Sequence, residues 1–327
     1  MTIVAHHPTA EADAVLGAGF TARILEPGRP ADTDPEFFAD DPAVVGPRRD
    51  LVVVTPTTGG DRTWDEIVAD RPELADWVAE RWLGCRPQLP VVPDGYPEAR
   101  DGYHRLAYGL VAEARRLANT KFGLRFTRGG FGTPFFADDE QVRVEHGRLV
   151  HQRGDRVDSV AITSLAAGAE FLGIRPGTAA AEHDSPPLGG LDADLGATEV
   201  TGAFLAAWFG FAWSALEELR LTEGAVDVDR TQLWPGHFDP AIAMGDASAD
   251  ARATFGASPG DADHPEPYLY VGAWGDVDRG DPFWNETAFN GASMGYAELR
   301  ASDDQLAAAI GFFRAGHTRL VGRGGGR

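Results

Sequence analysis

Residues 231–273 read TQLWPGHFDPAIAMGDASADARATFGASPGDADHPEPYLYVGA, and their reading decides the fold class. Short apolar runs are split here by Pro, Gly and Asp, the pattern of strands separated by turns. Strands are expected at 231–243, 251–256, 267–273 and, further on, 291–297. Just upstream, a helix is expected over 199–220, and its stretch 203–216 (AFLAAWFGFAWSAL) is the longest apolar run of the chain. That run is shorter than the roughly 18 residues that span a bilayer and leads straight into Glu217 and Glu218, so it reads as a buried core helix. Downstream, Ser302 to Gln305 fits a capping box opening a terminal helix that buries Leu306, Ile310 and Phe313. Helices flank these strands instead of alternating with them. The expectation is an α+β fold with antiparallel sheet, not a doubly wound parallel one.

A similar order precedes it. A helix over about 98–118 carries an apolar stripe of Tyr103, Leu106, Leu110, Ala114 and Leu117. Phe122, Leu124 and Phe126 then alternate with other residues, as do Val142 and Val144, which is the period of half-buried strands. Glu145-His-Gly-Arg148 reads as a hairpin turn into 149–152, and a helix follows over 163–173. The order strands, helix, loop, helix, strands, helix suggests two similar halves, although 130–144 and 255–271 share only a loose glycine–proline, acidic, strand pattern. Four regions result: a mainly helical part over 1–120, a hairpin with a helix over 121–174, a Pro/Gly/Ala-rich linker over 175–198, and the helix, strands and closing helix over 199–320. Within the first region, a strand is expected at 51–55, a capping box at Thr63 and Glu66, and a helix burying Leu74, Trp77, Val78 and Trp82.

The chain has 327 residues, of which 43% are hydrophobic and 24% charged, values of a globular protein. Twenty-nine Lys and Arg against 50 Asp and Glu give a net charge of −21. This balance argues against nucleic acid, whose affinity comes from clustered cations, and equally against anionic membranes. Residues 182–304 hold 23 acidic residues against 5 arginines, so −18 of the total belongs to the stretch around the long strand run. A polyanionic substrate is therefore not expected there. Cys85 is the sole cysteine, so no intrachain disulfide forms, and the first twenty residues lack a signal-peptide pattern. Cytoplasmic is the expected location.

Chemistry concentrates in two motifs. In Trp234-Pro-Gly-His237-Phe-Asp239 and His264-Pro-Glu266-Pro-Tyr268-Leu-Tyr270, polar and aromatic residues sit at alternate positions. On extended backbone such residues share a face. If the two segments adjoin, His237, Asp239, His264 and Glu266 would converge, a set suited to a divalent metal such as zinc or iron, or to metal-free acid–base work by histidine and carboxylate. The competing reading is structural, because Pro235, Pro240, Pro265 and Pro267 mark turns, where Asp and His bond local backbone. Trp234, Tyr268, Tyr270, Trp284 and Asn285 add aromatic faces and an amide that suit a small polar ligand. The glycine-rich stretch 129–134 precedes a strand and lacks a P-loop lysine, so with Arg125, Arg128 and Arg143 around it a tight turn is favoured over a phosphate site.

The Gln232-Leu-Trp-Pro-Gly-His-Phe-Asp239 stretch, followed by 255–261 and Pro265-Glu-Pro-Tyr-Leu-Tyr270, resembles a bacterial family common in actinobacteria and known only as a domain of unknown function. The resemblance covers about 122–313, includes the 129–134 loop, and departs at Gly236, where a bulkier or second polar residue is usual. It implies that the two His/acid stretches belong together and implies no activity. The expectation is a protein that binds or transforms a small polar molecule in a His/carboxylate pocket. The alternative is a non-catalytic interaction module with an acidic, aromatic face.

Overall fold

The computed structural model describes residues 88–127, 130–134, 136, 140–145, 147–153, 156–220, 222, 225–229 and 231–324. The expectations at 51–55, 63–66 and 74–82, together with Cys85, Arg128 and His146, lie outside the described residues.

Helix α1 (Tyr96–Leu106), a π-helical turn (Ala107–Val111) and α2 (Ala112–Asn119) form one continuous rod. Tyr103, Leu106 and Leu110 are buried as the stripe requires, but Leu117 is 54% exposed. The π turn explains the difference. Its wider turn shifts the phase of everything after it, so Ala112, Glu113 and Arg115 face inward instead.

Five strands follow: β1 (Arg125–Thr127), β2 (Gly130–Gly132), β3 (Glu140–Glu145), β4 (Arg148–Arg153) and β5 (Arg156–Ala161). They form an antiparallel meander, each strand pairing with the next. After α3 (Leu165–Leu172) and α4 (Glu199–Arg220) comes a second five-stranded meander. Its strands are β6 (Gln232–Trp234), β7 (Asp239–Met244), β8 (Ala253–Ser258), β9 (Tyr268–Ala273) and β10 (Gly291–Gly295). Helices α5 (Tyr296–Ala301) and α6 (Gln305–Gly324) close the chain. The fold is α+β with two similar antiparallel sheets. Their edges meet where Leu124 and Leu233 exchange backbone hydrogen bonds of 2.8 and 3.0 Å. The likeness between 130–144 and 255–271 is not the repeat, because one spans the second and third strands of its meander and the other the third and fourth.

Strands β2 and β5 lie where the sequence suggested a turn or nothing. In β2 the glycine at 132 is a packing requirement: a Cβ there would stand 2.5 Å from that of Arg143 on the paired strand. The expected strand 231–243 is two strands, broken by a turn at 235–238. At the C-terminus, Asp304 caps α6 by accepting from the Ala307 amide at 2.9 Å. Ser302, the expected cap, instead ends α5.

One hydrophobic core runs through both halves. Phe126, Phe131, Val144 and Leu149 from the first sheet and Leu233, Ile242, Phe255 and Val271 from the second belong to it. Helix α4 packs against strands of both sheets and supplies Trp208 and Phe209, each contributing about 2–3 kcal/mol by burial. It is the one described helix long and apolar enough to cross a membrane, and most of it is buried within the fold. On α6, Phe313 packs edge-on against Phe255, and Gly316 lets Val271 approach closely. Residues 175–198 have no helix or strand, as expected, yet they are no spacer. Leu195 is buried and bonds Thr163, Gly177 bonds the Gly109 carbonyl, and the Tyr108 hydroxyl donates to Pro186.

Candidate functional site

All the chemistry expected from the sequence falls on or beside the second sheet. Alternation in β9 sends Leu269 and Val271 to the core and leaves Tyr268 and Tyr270 on the outer face. Register then sets their neighbours: Tyr268 lies between Ser258 and Gly295, and Tyr270 between Gly256 and Ser293. The Tyr270 ring rests on Gly256, where a Cβ would stand 2.4 Å from Cζ, and packs edge-on against Phe289. Only glycine leaves room for the ring.

Asp239 opens β7 opposite Trp234 and is 2% exposed. The Tyr270 hydroxyl donates to its Oδ2, while Oδ1 is buried and accepts no hydrogen bond from another residue. Burial pushes this carboxyl above the usual carboxylate range, opposed by the nearby His237 and by the Tyr270 bond. Burial and the Asp239 charge hold the Tyr270 hydroxyl well above its ordinary value. Buried polar atoms are rarely left unpaired, so Oδ1 marks a place where a partner is expected.

A second polar chain runs along the same face. The Gly260 amide donates to Ser258 Oγ at 3.0 Å, Ser258 bonds the Tyr268 hydroxyl, and Tyr268 donates to Asp261 Oδ2 at 2.6 Å. Asp261 Oδ1 also accepts the amides of Asp263 and His264 at 2.9 and 2.8 Å, which fixes the loop. The His264 ring leans on Tyr268, with centroids 4.5 Å apart. Its Nε2 is 3.2 Å from Glu286 Oε1, and its Nδ1 is 3.7 Å from Asp261. Glu286 in turn accepts from the Ser293 hydroxyl.

The expected convergence of His237, Asp239, His264 and Glu266 does not occur. Among the described residues no three His, Cys, Asp or Glu side chains could hold a metal ion together. The cause is local. Residues 235–238 form a turn, not a strand, closed by a 2.7 Å bond from the Phe238 amide to the Trp234 carbonyl. Phe238 takes a left-handed backbone (φ 59°) and buries its ring against His104, Phe131 and Phe209. Alternation is lost there, and His237 swings out, 48% exposed, to lie 3.5 Å from Asp184 Oδ2. His183 stands 3.1 Å from the other oxygen of Asp184. His264 and Glu266 likewise precede β9 in a loop, and Glu266 is exposed. Neither His-x-acid pair shares a strand face.

The remaining candidates divide. Asn285 is an edge cap: its amide donates to the Ser293 carbonyl and accepts the Ser293 amide, imitating a further strand on β10. Trp284 is 4% exposed, edge-on to Phe283, and belongs to the core. Trp234 is partly exposed beside Asp239. Arg125 and Arg143 lie in the first sheet, where Arg143 pairs with Glu145 at 2.7 Å. Gly236 is explained by Glu182, whose Cγ would be 2.0 Å from a Cβ there. Asp261, Glu286, Ser258 and Ser293 escaped the sequence reading, because only strand register and loop closure bring them to the tyrosines. The alternation Tyr-Leu-Tyr was the available signal for that face.

No protein-family model, curated protein or solved structure matches the chain. The resemblance to the actinobacterial family therefore rests on its motifs alone.

Proposed function

We propose that this protein binds a small polar molecule on the outer face of its second sheet, over Asp239, Tyr270 and Tyr268. The observation that carries this reading is Asp239: a carboxylate almost wholly removed from water, with one oxygen bonded by Tyr270 and the other accepting no hydrogen bond from another residue. Such a group costs stability, by roughly 1–3 kcal/mol for the unmet oxygen, and a bound molecule would offset that cost. Leu269 and Val271 join the core, and Tyr268 and Tyr270 take the other side of β9, where Tyr268 is 9% exposed. Rings beside fixed carboxylates suit recognition, the rings giving contact area and the acids giving orientation. The acidic composition fits a ligand that is not polyanionic.

The test is a thermal-shift screen of the full chain against polar amines, polyols, amino acids and organic acids. A ligand at about one hundred times its Kd adds about 2.7 kcal/mol of stability. At least one compound is expected to raise Tm in the wild type and to lose that effect in Tyr270→Phe and Tyr268→Phe. A shift that survives both variants unchanged places the site elsewhere.

A further inference from the structure

The far end of the second sheet carries a tryptophan that the tyrosine face does not use. Trp274 follows β9 and is 60% exposed, the most exposed tryptophan among the described residues. Single exposed apolar side chains are ordinary on protein surfaces. This one differs in being fixed. Its Nε1 donates to Thr254 Oγ1 at 3.0 Å, its backbone amide donates to the Arg252 carbonyl at 3.0 Å, and the Arg252 guanidinium lies 4.9 Å from the ring centroid. Arg252 is held in turn. It donates to the carbonyls of Asp227 at 2.7 Å and Gly245 at 3.2 Å, and to Asp229 Oδ2 at 3.1 Å. One arginine thus ties residues 226–229, 245–252 and 274–275 into a single platform. An exposed aromatic already held in one pose loses little conformational freedom when a partner covers it.

Val226, 48% exposed, stands on the same platform, next to the residue whose carbonyl holds Arg252. Its own carbonyl accepts the Gly245 amide at 2.8 Å, so its segment is pinned as well. Carboxylates adjoin both apolar side chains. The three segments hold four aspartates, Asp227, Asp229, Asp246 and Asp250, against the single cation Arg252. Asp227, Asp229 and Asp250 are exposed, and Asp250 abuts Gly275, where a Cβ would stand 3.0 Å from its own. Asp246 accepts the Ser248 hydroxyl and amide at 2.6 and 2.8 Å, bonds that hold its carboxyl below the usual range. An aromatic and an aliphatic anchor beside ionised groups have the make-up of an interface, the anchors giving affinity and the charges choosing the partner. These charges disfavour nucleic acid and anionic lipid. Their complement is a cationic chain that also brings apolar contact.

We propose that this platform docks a basic segment of a partner protein, whose Arg or Lys side chains meet the aspartates while an apolar residue packs on Trp274 and Val226. Gly272 separates it from Tyr270 along β9, and the proposal does not rest on the small-molecule reading. The test is an NMR titration of the full chain at physiological salt with blocked pentapeptides: Arg-Leu-Arg-Leu-Arg, Arg-Gly-Arg-Gly-Arg and Glu-Leu-Glu-Leu-Glu. The first is expected to shift the Trp274 indole and the Arg252 and Gly275 amides saturably, with a Kd below about 1 mM. The second should bind at least about tenfold more weakly, and the glutamate peptide should not bind. Trp274→Ala should weaken the first peptide by at least about tenfold. Asp250→Asn should weaken it by about twofold. Should the alanine variant fail to fold, Val226→Ser, at an exposed position, should weaken it by about threefold. Equal binding of the two arginine peptides, or binding unchanged by loss of the apolar anchors, leaves only general attraction to an acidic surface and overturns the proposal. Binding of the glutamate peptide, or no saturable shift with the first, overturns it as well.

Discussion

The two sheets share a topology and a core but treat their outer faces in opposite ways. On the first, Arg143 is fully buried, yet its guanidinium reaches Gln141 at 3.2 Å, Gln152 at 2.9 Å and Glu145 at 2.7 Å. Gln141 passes the chain on to the Thr133 carbonyl at 3.0 Å. Around Arg143, donors and acceptors are matched within the protein. On the second, Tyr268, Tyr270 and Ser293 donate into carboxylates, and Asp239 Oδ1 receives no hydrogen bond from another residue. A closed polar network holds a sheet face together, whereas an open one leaves a valence for something else.

The comparison breaks most readily at Arg143. Arg143→Met should destabilise by about 3–5 kcal/mol in chemical denaturation, because Glu145 and two glutamines lose their common donor. A change under about 1 kcal/mol would mean that the first face is not held by this network.

The next effect concerns the turn that carries Asp239. His104 reaches the Pro235 and Gly236 carbonyls at 3.0 and 2.9 Å through Nε2, and burial pushes its pKa down to about 4. A histidine whose folded value is depressed gives stability that is complete above its unfolded value near 6.5 and is lost as pH falls toward 4. Over that window the wild type should lose up to about 3 kcal/mol, and His104→Gln should flatten this part of the profile. Equal pH slopes for the two proteins would remove His104 as the anchor of the turn.

Smaller effects probe the open network itself. Tyr270→Phe removes the side-chain donor that Asp239 has among the described residues and should cost about 1–2 kcal/mol by urea unfolding. Asp239→Asn should behave in the opposite sense. A carboxyl raised by burial favours folding while protonated, and that contribution is lost as pH rises through the folded value. The Asn variant should therefore be at least as stable as wild type at pH 7, with any advantage vanishing on acidification through the carboxylate range. Marked destabilisation at pH 7 would show Asp239 to be structural and not a site held at a cost.

The contrast also marks how far the sequence could be read. The apolar run of α4, the alternation at Tyr268-Leu-Tyr270 and the absence of intervening helices made an antiparallel α+β fold legible, because these patterns follow from backbone period alone. Ser164 and Gly173 likewise bracket α3 with a side-chain cap and a left-handed end, local chemistry that needs no tertiary partner. Leu117 was misread because a π turn changed the phase, and His237 because Phe238 bends the chain to reach the core. Both are cases of packing overriding period.

The sequence by itself determined the two strand runs, the core helix and the acidic character of the second half. Tertiary structure alone decided which of those groups meet. His264 faces Glu286 because two loops close over the end of β9, and Asp239 loses its solvent because Tyr270 lies across Gly256. Period and local propensity act over a few residues, whereas these contacts join segments tens of residues apart in sequence. Sheet register and burial are what bring them within reach.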